Sequence, residues 1–187
     1  MNKFIFTLLL AIFLFTNSLY SQKYFTRDGK ISFLSEAPME NIKAINSKAT
    51  SVLDIESGNI EFAVLIKAFQ FKKALMQEHF NENYLESSEF PKAIFKGKID
   101  NVSEVDFSKD GSYEATVIGK MTIHGVTNPI STTGTINVTG GEISVQSQFV
   151  ALVADYDIKI PGVVRDNIAK EVEITVDISY ELLNINN

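Results

Sequence analysis

The chain has 187 residues, a formal net charge of −6 and no cysteine. The lack of thiols excludes disulfides, cysteine nucleophiles, cysteine-bound zinc, iron–sulfur clusters, covalent c-type haem and a lipid-modified N-terminal cysteine. Because binding to nucleic acid or to an anionic membrane depends on an excess of basic residues, the acidic composition argues against both as partners.

Residues 1–21 have the layout of a secretory signal peptide. Lys3 precedes a run of twelve residues, 4–15, that is apolar except for one threonine, and small or polar residues follow it. A transmembrane helix needs about 20 apolar residues, so the run is too short to be one. We predict a signal peptide over 1–21, one domain over 22–187 without a transmembrane anchor after cleavage, and a periplasmic or secreted location.

Most of the remaining chain alternates between apolar and polar residues, which is the pattern of strands with one buried and one solvated face. The alternation is clearest near the end, where Val172, Ile174, Val176, Ile178 and Tyr180 share one face. In chain order the pattern predicts strands at 30–35, 41–46, 50–55, 60–66, 93–99, 99–107, 113–123, 130–138, 143–153 and 172–180.

Two turn sequences suggest how these strands are connected. Gly140-Gly141 and Asp110-Gly111 are both typical of hairpin turns, because glycine tolerates positive φ. Hairpin spacing without helical crossovers indicates antiparallel pairing in a sandwich or an up-and-down barrel. About eight strands in long amphipathic hairpins favour the barrel, since closure removes exposed edges. The predicted fold is therefore an all-β, eight-stranded antiparallel barrel.

Small residues recur on the faces predicted to point into the barrel. They leave room for a ligand, because an eight-stranded barrel either fills its interior or holds one small molecule. Alternatively, the glycines mark bends where strands turn corners. The sequence leaves both readings open for Gly97, Ala115, Gly119, Gly134, Ser147 and Ala151.

The alternation stops at residues 72–86. Leu75, Met76, His79 and Phe80 fall on neighbouring positions of a helix, and Pro91 then leads into the next strand. We predict a short helix that closes one end of the barrel, with the apolar members of this group turned inward.

Polar candidates for chemistry are few. His79 with Glu78 or Glu82 is a weak metal site, because stable sites need three or four matched ligands, and a hydrogen-bonding histidine is the simpler reading. His124 lies in the segment 119–130, which is either a hairpin connection or a barrel rim near a ligand head group.

Paired carboxylates and catalytic motifs are the remaining candidate features for chemistry. Asp155 and Asp157 project to one side of a strand, but general acid–base work needs a cleft and separated pKa values, so a solvated strand end is the simpler reading. The sequence contains no Gly-x-Ser-x-Gly, Ser-x-x-Lys, phosphate loop or His-Glu-x-x-His. We therefore do not expect an enzyme.

Three segments together resemble the YceI-like family, whose members are exported bacterial proteins, some of them known as lipid- or polyisoprenoid-binding. They are Leu75–Phe95, with His-Phe and then Phe-Pro-Lys-Ala-x-Phe; Gly119–Ile130, with Gly-x-x-Thr-x-His-Gly-Val-Thr-x-Pro; and Asp155–Ile158. Their order and spacing match the family over most of residues 58–182. As a set they are fairly specific.

The resemblance implies a lipocalin-like barrel that threads a long apolar ligand through its lumen, with no metal, no cofactor and no established catalysis. In such a barrel the tail channel would be lined by Phe62, Val64, Phe95, Val117, Phe149 and Val176. One end would be closed by Phe69, Leu75, Met76 and Phe80, and the head-group end would carry His79, His124, Tyr156 and Asp157.

Three functions are compatible with these patterns. The leading one is an exported protein that holds a polyisoprenoid or other long-chain lipid for transport or storage. The second is an accessory or stress-related barrel with a filled core that acts through a protein partner. The third is an enzyme that uses His79 or His124 with a nearby carboxylate. A homodimer is an open alternative to a monomer.

Overall fold

The computed structural model describes residues 22–183, so the predicted signal at 1–21 lies outside the described part. Within that part, nine strands and one α-helix follow one another along the chain. They are β1 (Lys23–Glu36), β2 (Asn41–Asp54), β3 (Asn59–Leu65), β4 (Gln70–Phe71), α1 (Ala74–His79), β5 (Lys92–Ile99), β6 (Gly111–Ile123), β7 (Val126–Thr139), β8 (Glu142–Leu152) and β9 (Glu171–Leu182).

Eight of these strands form a closed antiparallel barrel. They are paired in the order β1-β9-β8-β7-β6-β5-β3-β2, and a β1–β2 pairing closes the ring. The two-residue β4 adds to β2, opposite Ala44 and Ile45. The predicted all-β, eight-stranded antiparallel barrel with a short helix is confirmed.

The alternating pattern places side chains as predicted in most strands. In β9, Val176, Ile178 and Tyr180 are buried, whereas Asp177 and Ser179 between them are exposed. β6 likewise buries Ala115 and Met121 on its inward face. The hydrophobic effect therefore fixes the register, because a shift of one residue would expose every buried side chain.

The first two strands are longer than predicted because bulges interrupt their alternation. β2 runs without a break through 46–50, where the sequence predicts a gap between two short strands. Asn46 and Ala49 are both fully buried, so the inward positions change from even to odd numbers between them. The Asn46 side chain holds this bulge: its Oδ1 accepts from the Lys48 N–H (2.8 Å) and its Nδ2 donates to the Leu65 carbonyl (2.9 Å).

Two local predictions are wrong. No strand covers 99–107: β5 ends at Ile99, and a 3₁₀ turn at Val102–Glu104 begins a loop to β6. Asp110-Gly111 is therefore not a hairpin turn, and the Asp110 carboxylate instead accepts from the Gly140 N–H (2.9 Å). The Gly140-Gly141 turn itself is confirmed, with φ values of 57° and 82°.

The turn between β6 and β7 lies earlier than predicted. His124 and Gly125 form it, with φ values of 50° and 75°, so that Ile123 pairs with Val126. Pro129, which lies between the predicted strands 113–123 and 130–138, pairs with Lys120 inside β7. His124 and Gly125 both have positive φ, as primed hairpin turns require, and such turns match the twist of the flanking strands.

One half of the barrel interior is filled with side chains. Its fully buried members come from six different strands: Leu53, Ile60, Ile99, Ile136, Ile143 and Ile178. Tyr180 lies among them, and its hydroxyl is 2.7 Å from Ser51 Oγ. Because Ser51 donates its single proton to the Glu61 carbonyl (2.9 Å), the Tyr180 hydroxyl donates to Ser51.

A pair of glycines lets two strands and a phenylalanine approach closely. Gly97 of β5 pairs with Gly119 of β6. A Cβ on Gly119 would lie 2.5 Å from the Lys96 carbonyl oxygen and 2.7 Å from the Phe95 ring. The inward glycines therefore do not leave free space here, because the Phe95 ring already occupies it.

We expect Gly119→Ala to lower the free energy of unfolding by about 1–3 kcal/mol, because the added methyl group overlaps backbone that cannot move independently. Urea unfolding followed by circular dichroism measures this change. Gly162→Ala is the control: its Cβ would meet nothing closer than 3.9 Å, and we expect a change within about 0.5 kcal/mol. Equal effects at the two positions would contradict the close approach.

A second prediction concerns high pH. Burial raises the pKa of the Tyr180 phenol above its ordinary value of 10.0, so the native state keeps a proton that the unfolded chain loses. The stability is therefore complete below the unfolded pKa and falls above it, by up to about 1.4 kcal/mol per pH unit. Urea unfolding on both sides of the ordinary tyrosine pKa should show a shallower loss in Tyr180→Phe than in the wild type. Parallel pH profiles would refute the assignment.

Candidate ligand-binding site

A cavity of about 430 Å³ occupies the end of the barrel opposite the filled half. Its barrel walls come from the ends of β1, β2, β5, β6, β8 and β9, and its cover comes from residues 66–85 and 153–168. The residues that line it are Phe33, Ser35, Glu40, Ile42, Ile66, Phe69, Phe71, Met76, His79, Phe80, Tyr84, Leu85, Ala93, Ile123, Ala151, Leu152, Val153, Tyr156, Ile158, Ile160, Val164, Asn167, Ile168, Val172 and Ile174.

Four phenylalanines form one wall of the cavity. Phe33 comes from β1, Phe69 follows a 3₁₀ turn, Phe71 lies in β4 and Phe80 follows α1. Their ring centroids are 4.9–5.9 Å apart in tilted, edge and stacked contacts. Such rings offer large apolar contact areas, so this wall suits a hydrocarbon.

The segment with α1 covers the cavity and is held by the packing of its phenylalanines on Phe33 as well as by polar contacts. Lys73 forms an ion pair with Glu40 (2.7 Å), and the Asn81 amide donates to the Gln77 carbonyl (2.8 Å). The helix continues as a π-helical turn over Phe80–Tyr84. Met76 and Phe80 point into the cavity, whereas Leu75 is 61% exposed, contrary to the expectation that it turns inward.

The connection between β8 and β9 forms the other part of the cover. Ile158, Ile160, Val164 and Ile168 line the cavity from this loop. The loop is tied to the β1–β2 hairpin, because the Met39 N–H donates to the Asp166 carbonyl (3.0 Å). The Ala169 N–H also donates to the buried Ser35 hydroxyl (3.0 Å).

Polar groups of the lining lie around the cover. Glu40 and His79 are partly or largely exposed, and Tyr84, Tyr156 and Asn167 lie further in. Burial raises the pKa of both the Tyr84 and Tyr156 phenols, and the Asp155 charge adds to the rise at Tyr156. Both phenols are therefore neutral hydrogen-bond donors at neutral pH.

His124 ties the two parts of the cover to the barrel. Its Nδ1 donates to the Tyr156 carbonyl (3.1 Å), and its Nε2 lies 2.7 Å from a Glu86 carboxylate oxygen. Its ring also packs edge-on against Phe90, with centroids 4.6 Å apart. Glu86, His124 and Asp157 are the non-glycine residues with positive φ among residues 22–183, so backbone strain is concentrated at this junction.

The predicted site residues fall into three groups. Phe69, Met76, His79, Phe80 and Tyr156 line the cavity together. Leu75, His124 and Asp157 do not line it, and His124 has the structural contacts described above. The predicted tail-channel residues lie deeper, packed in or against the filled core: Phe62, Val64, Phe95, Val117, Phe149 and Val176. Whether any of these side chains contacts a ligand stays a prediction.

Several lining residues were missed. Phe33 and Ile174 lie on predicted strands, and their inward parity was a usable signal. Phe71 was outside the predicted strands, and the loop residues Ile160 and Ile168 carry no alternation that would mark them as buried.

Residues 22–183 contain neither a metal-binding cluster nor a membrane-spanning helix. Within this range no group of three or more histidine, aspartate or glutamate side chains is placed to hold a metal ion. No helix of the same range is long and apolar enough to cross a membrane.

Comparison with known proteins matches residues 24–180 to the YceI-like domain. A polyisoprenoid binding domain from Saccharophagus degradans, implicated in plant cell wall breakdown, has a TM-score of 0.75 at 13% identity, covering 86% of this chain and 98% of that one. Burkholderia cenocepacia BcnA has a TM-score of 0.67 at 15% identity, covering 82% of this chain and 96% of that one. A Campylobacter jejuni YceI protein has a TM-score of 0.56 at 15% identity, covering 78% of this chain and 86% of that one. No curated protein matches significantly. At such identities the structures show a shared fold alone.

The two histidines provide a matched test of the junction. We expect His124→Asn to lower the free energy of unfolding by about 1–3 kcal/mol, because it removes contacts to Tyr156 and Glu86 while asparagine tolerates the positive φ. His79→Asn should change it by about 0.5 kcal/mol or less, since His79 is exposed. Urea unfolding measures both. If His124→Asn is as mild as His79→Asn, the junction does not hold the cover.

Proposed function

The chain belongs to the YceI-like family, and from this premise we propose that it is an exported protein that binds a long-chain lipid, either a polyisoprenoid or another apolar chain. The ligand lies in the cavity at the covered end of the barrel. Binding there serves transport or storage of the ligand in the periplasm or outside the cell. No catalytic step is part of this proposal.

The observation that carries the proposal is an apolar cavity of about 430 Å³ whose polar lining residues lie at its covered end. Ligand pockets for small molecules typically measure about 300–1,000 Å³ and have mostly apolar walls. Burial of a hydrocarbon chain contributes about 25 cal/mol per Å² of apolar area, which gives several kcal/mol before the costs of ordering.

The positions of the polar groups suggest how the ligand is oriented. The apolar tail points down the barrel between Ala93 and Ala151, and the head group remains near the cover. There the exposed His79 and the partly exposed Glu40 offer charge or hydrogen bonds, and the neutral Tyr156 phenol offers a donor. In this proposed orientation, His79 and Tyr156 contact the head group, whereas His124 and Asp157 do not.

The accessory-barrel alternative is favoured by a different observation. A barrel that acts through a protein partner needs no lumen, and half of this interior is filled. The two functions differ in what the purified protein carries. Solvent extraction followed by mass spectrometry should recover an apolar compound in roughly equimolar amount from the lipid-binding protein. A protein that carries nothing and binds no added lipid would support the alternative.

A cavity-filling substitution tests the site itself. We expect Ala93→Phe to weaken binding of farnesol by at least about tenfold, because the new ring takes the place of the hydrocarbon. Ala63→Phe adds the same ring on the neighbouring strand at a position outside the cavity lining, and it should leave the affinity unchanged. Native mass spectrometry gives both affinities, and circular dichroism checks that both variants fold. Equal affinities of the two variants would place the ligand elsewhere.

A further inference from the structure

Three large apolar side chains are far more exposed than the others among residues 22–183. They are Val163 (93%), Met39 (73%) and Leu75 (61%), and every other large apolar side chain of this range is at most 58% exposed. They belong to the loop between β8 and β9, to the β1–β2 connection and to α1. Single exposed apolar residues are common on soluble proteins, so the feature to explain is the place that these three share.

All three lie where the cavity opens to solvent. Each is followed directly in the chain by a residue that lines the cavity, and the pairs are Met39-Glu40, Leu75-Met76 and Val163-Val164. His79, another lining residue of these segments, is itself exposed. At three points around the opening, one side chain therefore borders the cavity and the apolar side chain before it extends into solvent.

The three segments are joined into one rim around the opening. The Met39 N–H donates to the Asp166 carbonyl (3.0 Å), which connects the β1–β2 connection to the loop between β8 and β9. Glu40 forms the ion pair with Lys73 (2.7 Å), which connects it to the start of α1. We call these segments the mouth rim: residues 37–40, 72–79 and 159–170.

The mouth rim does not share the acidic charge of the whole chain. Its basic residues are Lys72, Lys73, Lys159, Arg165 and Lys170, all of them exposed, its acidic residues are Glu40, Glu78 and Asp166, and Glu36 and Glu82 border it. Charges on a protein surface act over about 10 Å in 0.1 M salt. The excess of negative charge that disfavours a membrane for the chain as a whole is therefore absent from this surface.

The form of the mouth rim suits a lipid bilayer better than a protein. A stable protein–protein interface buries about 1,200–2,000 Å² of closely packed surface. Three separate side chains around an opening do not offer such a surface, whereas a fluid bilayer can surround each of them. Apolar side chains that enter the boundary between head groups and acyl chains leave water, and this burial drives the binding of peripheral proteins.

We propose that the mouth rim docks on the surface of a lipid bilayer, with Met39, Leu75 and Val163 inserted between the lipids. This inference rests on the proposed function and adds its partner, the membrane that gives or receives the ligand. Docked in this way, the cavity opens towards the bilayer, and the apolar ligand moves between the two without crossing water. Docking is reversible, because three side chains bury little area.

A tryptophan placed on the mouth rim tests the docking directly. The chain contains no tryptophan, so a single introduced indole reports only on its own surroundings. We expect the emission of Val163→Trp and of Leu75→Trp in the mature protein to shift to shorter wavelength with vesicles of phosphatidylethanolamine and phosphatidylglycerol, because the indole enters the membrane interface. Val52→Trp, at an exposed position of β2 near the filled half, is the control and should show no shift.

Charged substitutions test whether the native side chains drive the docking. Val163→Asp and Leu75→Glu should each lower the affinity for the same vesicles by at least about tenfold in a flotation assay. The matched controls are Val52→Asp and Leu182→Glu, since both side chains are exposed on strands near the filled half. They should bind vesicles like the wild type, and circular dichroism checks that all four variants fold.

The results separate docking from the proposed function. Unchanged emission at both mouth-rim tryptophans, or an equal loss of affinity in the controls, overturns the docking. An emission shift that grows with protein concentration in the absence of vesicles also overturns it, because a second copy of the chain then covers the rim.

Ligand binding is measured on the same proteins. Ala93→Phe should still bind vesicles although it binds farnesol weakly, and Val163→Asp should bind farnesol like the wild type. If the wild type binds farnesol but its mouth rim does not enter vesicles, the docking alone fails. If the mouth rim enters vesicles but the protein carries and binds no apolar compound, the proposed function fails and the docking stands.

Discussion

Closure of the barrel is the constraint on which the other features depend. β1 is hydrogen-bonded to β2 on one side and to β9 on the other, so eight strands share one interior and no long edge remains. The interior of such a barrel is about as wide as the side chains that fill it. The size of each inward residue therefore decides whether its layer is packed or open. Isoleucines fill one half, and the smaller Ala93 and Ala151 face the space in the other.

An open half has to be shielded from water, and the chain does this with irregular segments. The cover consists of α1 with its π-helical turn and of the loop between β8 and β9, and few of its residues are fully buried. Hydrogen bonds and an ion pair attach it, above all at His124, whose contacts reach both parts. The positive φ values of Glu86, His124 and Asp157 occur where these segments join the barrel. Because few residues of the cover are fully buried, it opens more easily than a packed strand, which suits an entry for a ligand.

Period-two alternation was sufficient to predict the barrel, because strands with one buried face leave the same signal wherever they occur. It failed where burial does not alternate. The bulge at Asn46 reverses the parity of β2, so one strand looked like two. The segment 99–107 has enough apolar residues to imitate a strand, but Val105 is buried from a loop. The sequence left His124 in either a hairpin connection or a barrel rim, since a turn of two residues with positive φ is marked there by Gly125 alone. The cavity was predicted by analogy with the family, whereas close contacts such as that of the Phe95 ring with Gly97 are ones that no pattern of hydrophobicity reveals.

Family membership and the contents of the lumen are therefore separate questions. With only 13–15% identity to these structural relatives, the chain shares their fold. The strand order fixes where a lumen lies, and the inward residues fix how much of it remains. In this chain Ala93 and Ala151 line the cavity, whereas Phe95 and Phe149, one inward position further along each strand, pack against the filled core. What the lumen can hold is therefore decided by inward side chains, which can change without altering a backbone hydrogen bond.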